Sequence, residues 1–242
     1  HKPDRRQRQM CIRDRPNTIA IGHDITSFSG VVIGQNVSKT SYANGNHKAV
    51  VIGSSTSGNG ASVAIGTDVN AGHDAIAIGR SGTNASSFGG VAIGTNADAS
   101  RNGLAIGIST SSGIAGVSIG KTNTTSTSGV AMGRDNSTGQ TALSLGINNS
   151  VGSYGNAVSI GINNSGTGRG GVTIGVDNST TSVSGPIAIG KLNRDISHGA
   201  IAIGYGNTDN SFSAVVIGKG NSGNSGRSVS YTHLRAHETS ID

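Results

Sequence analysis

One short pattern of apolar and small residues recurs along most of the chain: an aliphatic residue, a small residue, isoleucine and glycine. Fifteen copies occur between residues 16 and 228, and the spacing of their glycines averages 14 residues. A repeat of this length and copy number is typical of a solenoid, in which each repeat forms one coil and neighbouring coils stack. The glycines, here called anchor glycines, are Gly22, Gly34, Gly53, Gly66, Gly79, Gly94, Gly107, Gly120, Gly133, Gly146, Gly161, Gly175, Gly190, Gly204 and Gly218.

The residues before each anchor glycine alternate as a β-strand does. The residue three before it is Val, Ile or Leu, and the residue one before it is Ile in thirteen of fifteen repeats; these two positions are called the aliphatic columns. The residue between them, called the small column, is Ala, Ser, Val or Thr. Alternate residues of a strand share a face, so we expect the aliphatic columns inside each coil and the small column outside, packed against another chain. The predicted core ladder is Ile21, Ile65, Ile78, Ile93, Ile106, Ile119, Ile160, Ile189 and Ile203, and the predicted packing column is Ala20, Ala64, Ala77, Ala92, Ala105, Ala131, Ala188 and Ala202.

A coil of about 14 residues has room for two short strands and two tight turns. The sequence therefore predicts an all-β fold, a flattened parallel β-roll (β-solenoid) of about 15 coils. Two aliphatic side chains per coil bury too little to offset the ordering of the whole coil, so we expect the rods to associate side by side. Three residues after the anchor glycine the last eight repeats carry Asn, from Asn123 to Asn221. Stacked Asn side chains are expected to bond the turn backbone and one another.

Composition changes sharply at both ends of the chain. Residues 1–15 and 229–242 contain no glycine, whereas residues 16–228 contain all 40. A DNA string that encodes residues 10–14 (MCIRD) has a reverse complement that encodes residues 229–233 (VSYTH). Both ends resemble translated sequencing-adapter sequence, so we interpret 1–15 and 229–242 as non-native tails and 16–228 as the β-roll. The natural protein is then expected to continue in both directions.

The two tails contribute much of the net charge of the chain, so the charge of residues 16–228 must be considered separately. The tails hold the single cysteine, Cys11, and much of the formal net charge of +6. Residues 16–228 lack a basic cluster and have few aromatic residues, so nucleic acid is not a predicted partner. They contain no Glu, and their Asp residues are spread out without a paired base, nucleophile or metal-ligand spacing. Residues 166–171 satisfy G-x-G-x-x-G, but no helix is predicted after them. We predict no enzyme activity, no cofactor, no metal and no membrane contact by this segment.

One register carries the side chains most suited to binding. The residue six before each anchor glycine lies in the turn ahead of the strand, and these residues together are called the contact column. They include aromatic, His and Arg side chains, which are frequent in binding surfaces. The alternative interpretation is a turn that tolerates any soluble residue. The longest interval, between Gly34 and Gly53, predicts a protruding loop with Tyr42, Asn44, His47 and Lys48, or a tolerated insertion. The candidate contact residues are Phe28, His47, His73, Phe88, Arg101, Arg169, His198 and Phe212.

Residues 61–66, 74–79 and 156–161 (ASVAIG, DAIAIG and NAVSIG) resemble the head repeat of YadA-type trimeric autotransporter adhesins, and the resemblance covers about residues 16–221. It implies a left-handed β-roll, a homotrimer, display on a Gram-negative outer membrane, and adhesion to extracellular matrix, host cells or abiotic surfaces in virulence. The family's signal, neck, stalk and anchor are not in this sequence and are expected in the missing parts. The alternatives are a trimeric phage or virus tail-fibre segment and, less favoured because the outward positions vary, an ice-binding β-solenoid.

Overall fold

The computed structural model describes residues 18–27, 29–40, 48–152, 155–166, 168–181, 184–194, 196–223 and 229–231. These residues form strands and turns, with no helix among them, and the strand pairings within each unit are parallel. The chain divides into two compact units, His1–Ser128 (unit 1) and Gly129–Asp242 (unit 2), and each is a β-solenoid. The all-β, parallel solenoid class predicted from the repeat is therefore confirmed. The left-handed sense and the trimer stay predictions.

Each unit contains strands of two kinds, longer ones that carry the anchor glycines and shorter ones of two or three residues that lie after many of them. In unit 1 the strands are β1 (Thr18–Thr26), β2 (Gly30–Thr40), β3 (Ala49–Ser54), β4 (Ser57–Asn59), β5 (Val63–Ala71), β6 (Ile76–Ala85), β7 (Val91–Thr95), β8 (Asp98–Ala99), β9 (Leu104–Ile108), β10 (Ser111–Ser112), β11 (Val117–Lys121) and β12 (Thr124–Thr125). In unit 2 they are β13 (Val130–Arg134), β14 (Ser137–Thr138), β15 (Leu143–Ile147), β16 (Ser150–Val151), β17 (Val158–Ile162), β18 (Ser165–Gly166), β19 (Val172–Val176), β20 (Ser179–Thr180), β21 (Ile187–Lys191), β22 (Ile201–Tyr205), β23 (Thr208–Asp209), β24 (Val215–Lys219), β25 (Ser222–Gly223) and β26 (Val229–Tyr231).

The anchor glycines set the register of both units. All fifteen lie in strands, and within each unit they pair in succession from coil to coil, as Gly66 pairs with Gly79 in unit 1 and Gly161 with Gly175 in unit 2. Their φ angles are positive, +125° at Gly161, and a Cβ built there would overlap the carbonyl oxygen of Gly175. No other residue type fits this combination of backbone angle and close approach, so the glycine recurs for a steric reason.

The structure reverses the predicted sides of the anchor strand. The small column is buried inside its own coil: Ala64, Ala77, Ala92 and Ala105 are 0% exposed, as are Ala131, Ala188 and Ala202, and Ala20 is 5% exposed. The aliphatic columns instead face outward, with Ile21 40% and Ile203 37% exposed. The predicted core ladder of isoleucines and the predicted outward packing column of alanines are therefore wrong. Alternation separates the two sets but does not say which one faces in, and in the structure the smaller set packs between the walls of the coil.

The residues three after the anchor glycine line the opposite inner wall. In unit 2 this wall is a ladder of buried Asn residues, from Asn136 to Asn207. The Nδ2 atom of Asn149 donates to the carbonyl oxygens of Leu145 and Gly161, at 2.9 and 2.8 Å, and its Oδ1 accepts from the Nδ2 of Asn164 at 3.0 Å. The predicted Asn–Asn and Asn–turn bonds are thus confirmed in unit 2. In unit 1 Thr56 occupies the same position and makes one equivalent bond: its Oγ1 donates to the carbonyl oxygen of Gly66, the next anchor glycine, at 2.8 Å.

Each coil turns through residues with a left-handed backbone. The residue two after the anchor glycine, called the first-turn column, has φ between 51° and 67° in every described coil, as at Asn148 (53°) and Gly220 (67°). A second left-handed residue lies five before the next anchor glycine, as at Ala115 (φ 53°). Asn, Asp and Gly tolerate this conformation best, which explains why they are frequent in both turns.

Strand β26 lies within the segment interpreted as the second tail. It pairs in parallel with β24, with Val229 opposite Val215. Such pairing uses backbone groups that almost any sequence provides. The assignment of residues 1–15 and 229–242 as non-native tails stays a prediction.

Candidate functional site

Backbone hydrogen bonds join the contact column from coil to coil in unit 1. The carbonyl oxygen of each member accepts from the amide that follows the next member: Gly89 N donates to His73 O at 3.3 Å, Asn102 N to Phe88 O at 2.9 Å, and Ala115 N to Arg101 O at 2.9 Å. His73, Phe88 and Arg101 therefore follow one another along one edge of the unit, as predicted. Ile114 continues the edge, and we call His73, Phe88, Arg101 and Ile114 the contact edge.

The His73 and Phe88 rings are packed against each other. Their centroids lie 4.7 Å apart with a 38° angle between the ring planes, and Phe88 remains 45% exposed. The Nδ1 atom of His73 lies 2.8 Å from a carboxylate oxygen of Asp74, which lies in the adjacent left-handed turn. Gly60 leaves room for the imidazole, because a Cβ there would lie 2.6 Å from Cδ2 of His73. The edge therefore presents an aromatic pair that its own neighbours hold in place.

The contact column of unit 2 contains a second pair of the same kind. The rings of His198 and Phe212 lie 4.8 Å apart at 30°, and Phe212 is 63% exposed. Ser213 N donates to the carbonyl oxygen of His198 at 2.9 Å, which repeats the coil-to-coil bond of unit 1. Arg169 is exposed in the same register. Among the residues that the structure describes, each unit thus carries a His–Phe pair in the register that the sequence singled out.

Some predicted residues lie outside the described part of the chain. These are Phe28 and His47 of the contact column, together with Tyr42 and Asn44 of the predicted protruding loop. Lys48, the last residue of that loop, is described and exposed. The protruding loop stays a prediction.

Sequence reasoning missed an exposed apolar face. The aliphatic columns of each unit form a sheet surface that we call the apolar face. Its exposed members include Ile19 (55%), Ile76 (37%) and, in unit 2, Met132 (42%) and Ile217 (43%). Stripes of large aliphatic side chains on a soluble surface mark an interaction site. The signal in the sequence is the unbroken aliphatic pattern of these two columns, which hydrophobicity alone assigns to a core.

The interior of unit 1 holds a buried lysine that sequence reasoning did not predict. Lys39 lies in β2, is 0% exposed, and its Nζ donates to the Oγ of Ser29 at 3.0 Å. Burial lowers the pKa of Lys39 below its usual value, because the charged ammonium loses hydration.

The described residues bring together no group of three or more His, Cys, Asp or Glu side chains able to hold a metal ion. Within the same residues no helix is long and apolar enough to cross a membrane. A surface groove in unit 2, of about 380 Å³, is lined by Asn163, Ser165, Asp177, Asn178, Ser179 and Arg194.

Comparison with protein-family models and with curated protein sequences finds no match for the chain.

Proposed function

We propose that residues 16–228 form the head of a trimeric adhesin displayed on a bacterial outer membrane, a binding module without enzyme activity. The observation that carries this proposal is the contact edge. There the exposed ring of Phe88 packs against His73, and exposed Arg101 follows on the solenoid. Exposed aromatic and Arg side chains are the kinds of residue that dominate binding surfaces. The proposed ligands are an extracellular matrix protein, a host cell or an abiotic surface.

The apolar face supports the proposed self-association. Its aliphatic columns lack charged residues in all fifteen coils, and Ile19, Ile76 and Ile203 are each more than a third exposed. A second copy has the same coil repeat and the same face, so it is the partner whose side chains match along the stack. Burying such a face removes apolar area from water and stabilises coils that are thin on their own. This replaces the alanine column as the proposed contact between chains.

The association is tested by placing charges on the apolar face. The variant Ile76→Lys, Ile106→Lys, Ile203→Lys carries three lysines across it, and multi-angle light scattering measures its mass beside that of the unaltered chain. We expect a trimer for the unaltered chain and a monomer for the variant. The matched control is Ile114→Lys, since Ile114 is 52% exposed but lies on the contact edge, and it should remain trimeric. A monomeric unaltered chain would contradict the trimer.

Adhesion is tested separately on the contact edge. The variant Phe88→Ala, Arg101→Ala should bind less to immobilised matrix and to polystyrene, while its mass in light scattering stays that of the unaltered chain. The control variant carries Asn148→Gly and Ser109→Gly, two exposed changes in the first-turn column. Equal adhesion by the contact-edge variant and the control would remove the contact edge from the proposal.

A further inference from the structure

Seven Asn-x-Ser/Thr tripeptides occur in the described part of the chain. This tripeptide is the acceptor motif for N-linked sugar, which is attached where the Asn is on the surface. The sequence alone gives no reason to prefer one of them over another. They begin at Asn36, Asn84, Asn123, Asn136, Asn148, Asn163 and Asn178.

The structure divides six of these tripeptides between two registers. In three of them, Asn123, Asn136 and Asn178, the Asn lies three after an anchor glycine and is at most 1% exposed. The third residue of each tripeptide is two positions further on, points the same way, and is buried as well: Thr125, Thr138 and Thr180 are 4%, 3% and 0% exposed. Neither end of the motif is accessible in these three. The seventh, Asn84, is half-buried within β6.

The other three tripeptides start in the first-turn column. Asn36, Asn148 and Asn163 are exposed, with φ angles of 53°, 53° and 55°. Their hydroxyl residues, Ser38, Ser150 and Ser165, are exposed or half-exposed. A shift of one residue along the coil therefore moves the whole motif from the inner wall to the surface.

The side-chain amides of these residues remain able to react. Asn148 Nδ2 donates to Asn163 Oδ1 at 3.0 Å, and Asn163 Nδ2 donates to Asp177 Oδ1 at 3.1 Å. An amide nitrogen carries two hydrogens, so each of these bonds can persist after the other hydrogen is replaced. Asn163 and Ser165 also line the polar groove of unit 2 beside Asp177 and Arg194, whose side chains can bond sugar hydroxyls.

We propose that Asn36, Asn148 and Asn163 are acceptor sites for an N-linked hexose supplied as a nucleotide sugar. In this step the Nδ2 atom forms a bond to C1 of the hexose, and the bond from C1 to the phosphate oxygen breaks. The nucleoside diphosphate leaves and one Nδ2 proton passes to solvent. The attached sugar projects from the first-turn column of its unit, and Asn123, Asn136 and Asn178 stay unmodified in the folded chain.

The test uses the folded chain, a glycosyltransferase that moves glucose from UDP-glucose to Asn-x-Ser/Thr, and site mapping by mass spectrometry. We expect hexose on the peptides that contain Asn36, Asn148 and Asn163. Occupancy at Asn123, Asn136 and Asn178 should be at least about tenfold lower, because these sites react only after local opening. The same chain digested to peptides before the reaction should accept hexose in all these tripeptides.

Ser150→Ala and Ser165→Ala are the matched variants, since each removes one motif and leaves the Asn in place. Ser150→Ala should abolish hexose at Asn148 and leave it at Asn163, and Ser165→Ala should do the reverse. The proposal is overturned if the folded chain accepts none at the three exposed sites while the peptides do, or if buried and exposed sites react equally. Neither result bears on the adhesion and light-scattering tests.

Discussion

Asn164 donates twice to one atom of Asn149. Its Nδ2 and its backbone nitrogen lie 3.0 and 3.1 Å from the Oδ1 of Asn149, and its own Oδ1 accepts from Asn178 in the same way. The Nδ2 of Asn164 also donates to the carbonyl oxygen of Gly175 at 2.8 Å. Each Asn therefore satisfies buried groups of the coils on both sides, and the ladder joins consecutive coils of unit 2 through side chains as well as backbone.

Removing one member of the ladder should destabilise unit 2. In Asn164→Ala the carbonyl oxygen of Gly175 and the amide of Asn178 lose their side-chain partners while staying buried. Leaving such groups unsatisfied costs about 2–4 kcal/mol in the free energy of unfolding. The measurement is urea unfolding followed by circular dichroism. The matched control is Asn148→Gly, an exposed neighbour whose loss should stay within about 0.5 kcal/mol; similar losses for both would contradict a structural ladder.

Anchor glycines should be far less tolerant than the glycines of the turns. Gly161→Ala places a Cβ onto the carbonyl oxygen of Gly175, so we expect a loss of more than about 4 kcal/mol or failure to fold. Gly206 has a φ of +66° and nothing within 4 Å of a built Cβ, so Gly206→Ala should cost only about 1 kcal/mol. Thermal unfolding of the two variants compares them. Equal losses would mean that backbone angle alone, without the close approach, selects the anchor glycine.

The same substitution should have opposite signs at two alanines of unit 1. Ala115 is exposed with a φ of 53°, so Ala115→Gly relieves a left-handed strain that exceeds the added entropy of the unfolded chain, a gain of about 0.5 kcal/mol. Ala105 is 0% exposed in the small column, and Ala105→Gly should lose about 1–2 kcal/mol through lost packing and strand entropy. Denaturant midpoints measure both. An Ala105→Gly variant more stable than the unaltered chain would contradict the buried position of the small column and support the outward position predicted from the sequence.

Lys39 should make the stability of unit 1 rise with pH. Burial lowers its pKa in the folded chain, so between that value and the usual pKa of about 10.4 the unfolded chain binds more protons. The free energy of unfolding then increases as pH rises through this window. Lys39→Met removes the effect, so the difference in stability between the variant and the unaltered chain should shrink from pH 7 to about pH 10. Lys48→Met, at an exposed lysine, is the control, and a parallel pH profile for both variants would contradict the assignment.

The contact edge and the apolar face show how far sequence reasoning reached. The register that holds His73, Phe88 and Arg101 could be predicted, because a fixed distance from the anchor glycine becomes a fixed place in a coil. The ring contact between His73 and Phe88 could not, because it depends on Gly60 leaving space on one side. The outward position of Ile76 differs from the prediction, because hydrophobicity suggested that the aliphatic columns form the core, whereas the coil buries the small column.

Sequence by itself determined the repeat, the parallel solenoid and the place of each strand, since a four-residue motif repeated fifteen times allows each anchor glycine to fit only against the next. Tertiary structure decided which side of that strand is inside. The alternation of small and aliphatic residues is satisfied equally by either orientation. Packing inside the folded coil decides between them: Ala92 is 0% exposed, whereas its neighbour Ile93 stays partly exposed on the other side of the strand. The same geometry separates the buried Asn136 from the exposed Asn148, although both begin the same kind of tripeptide.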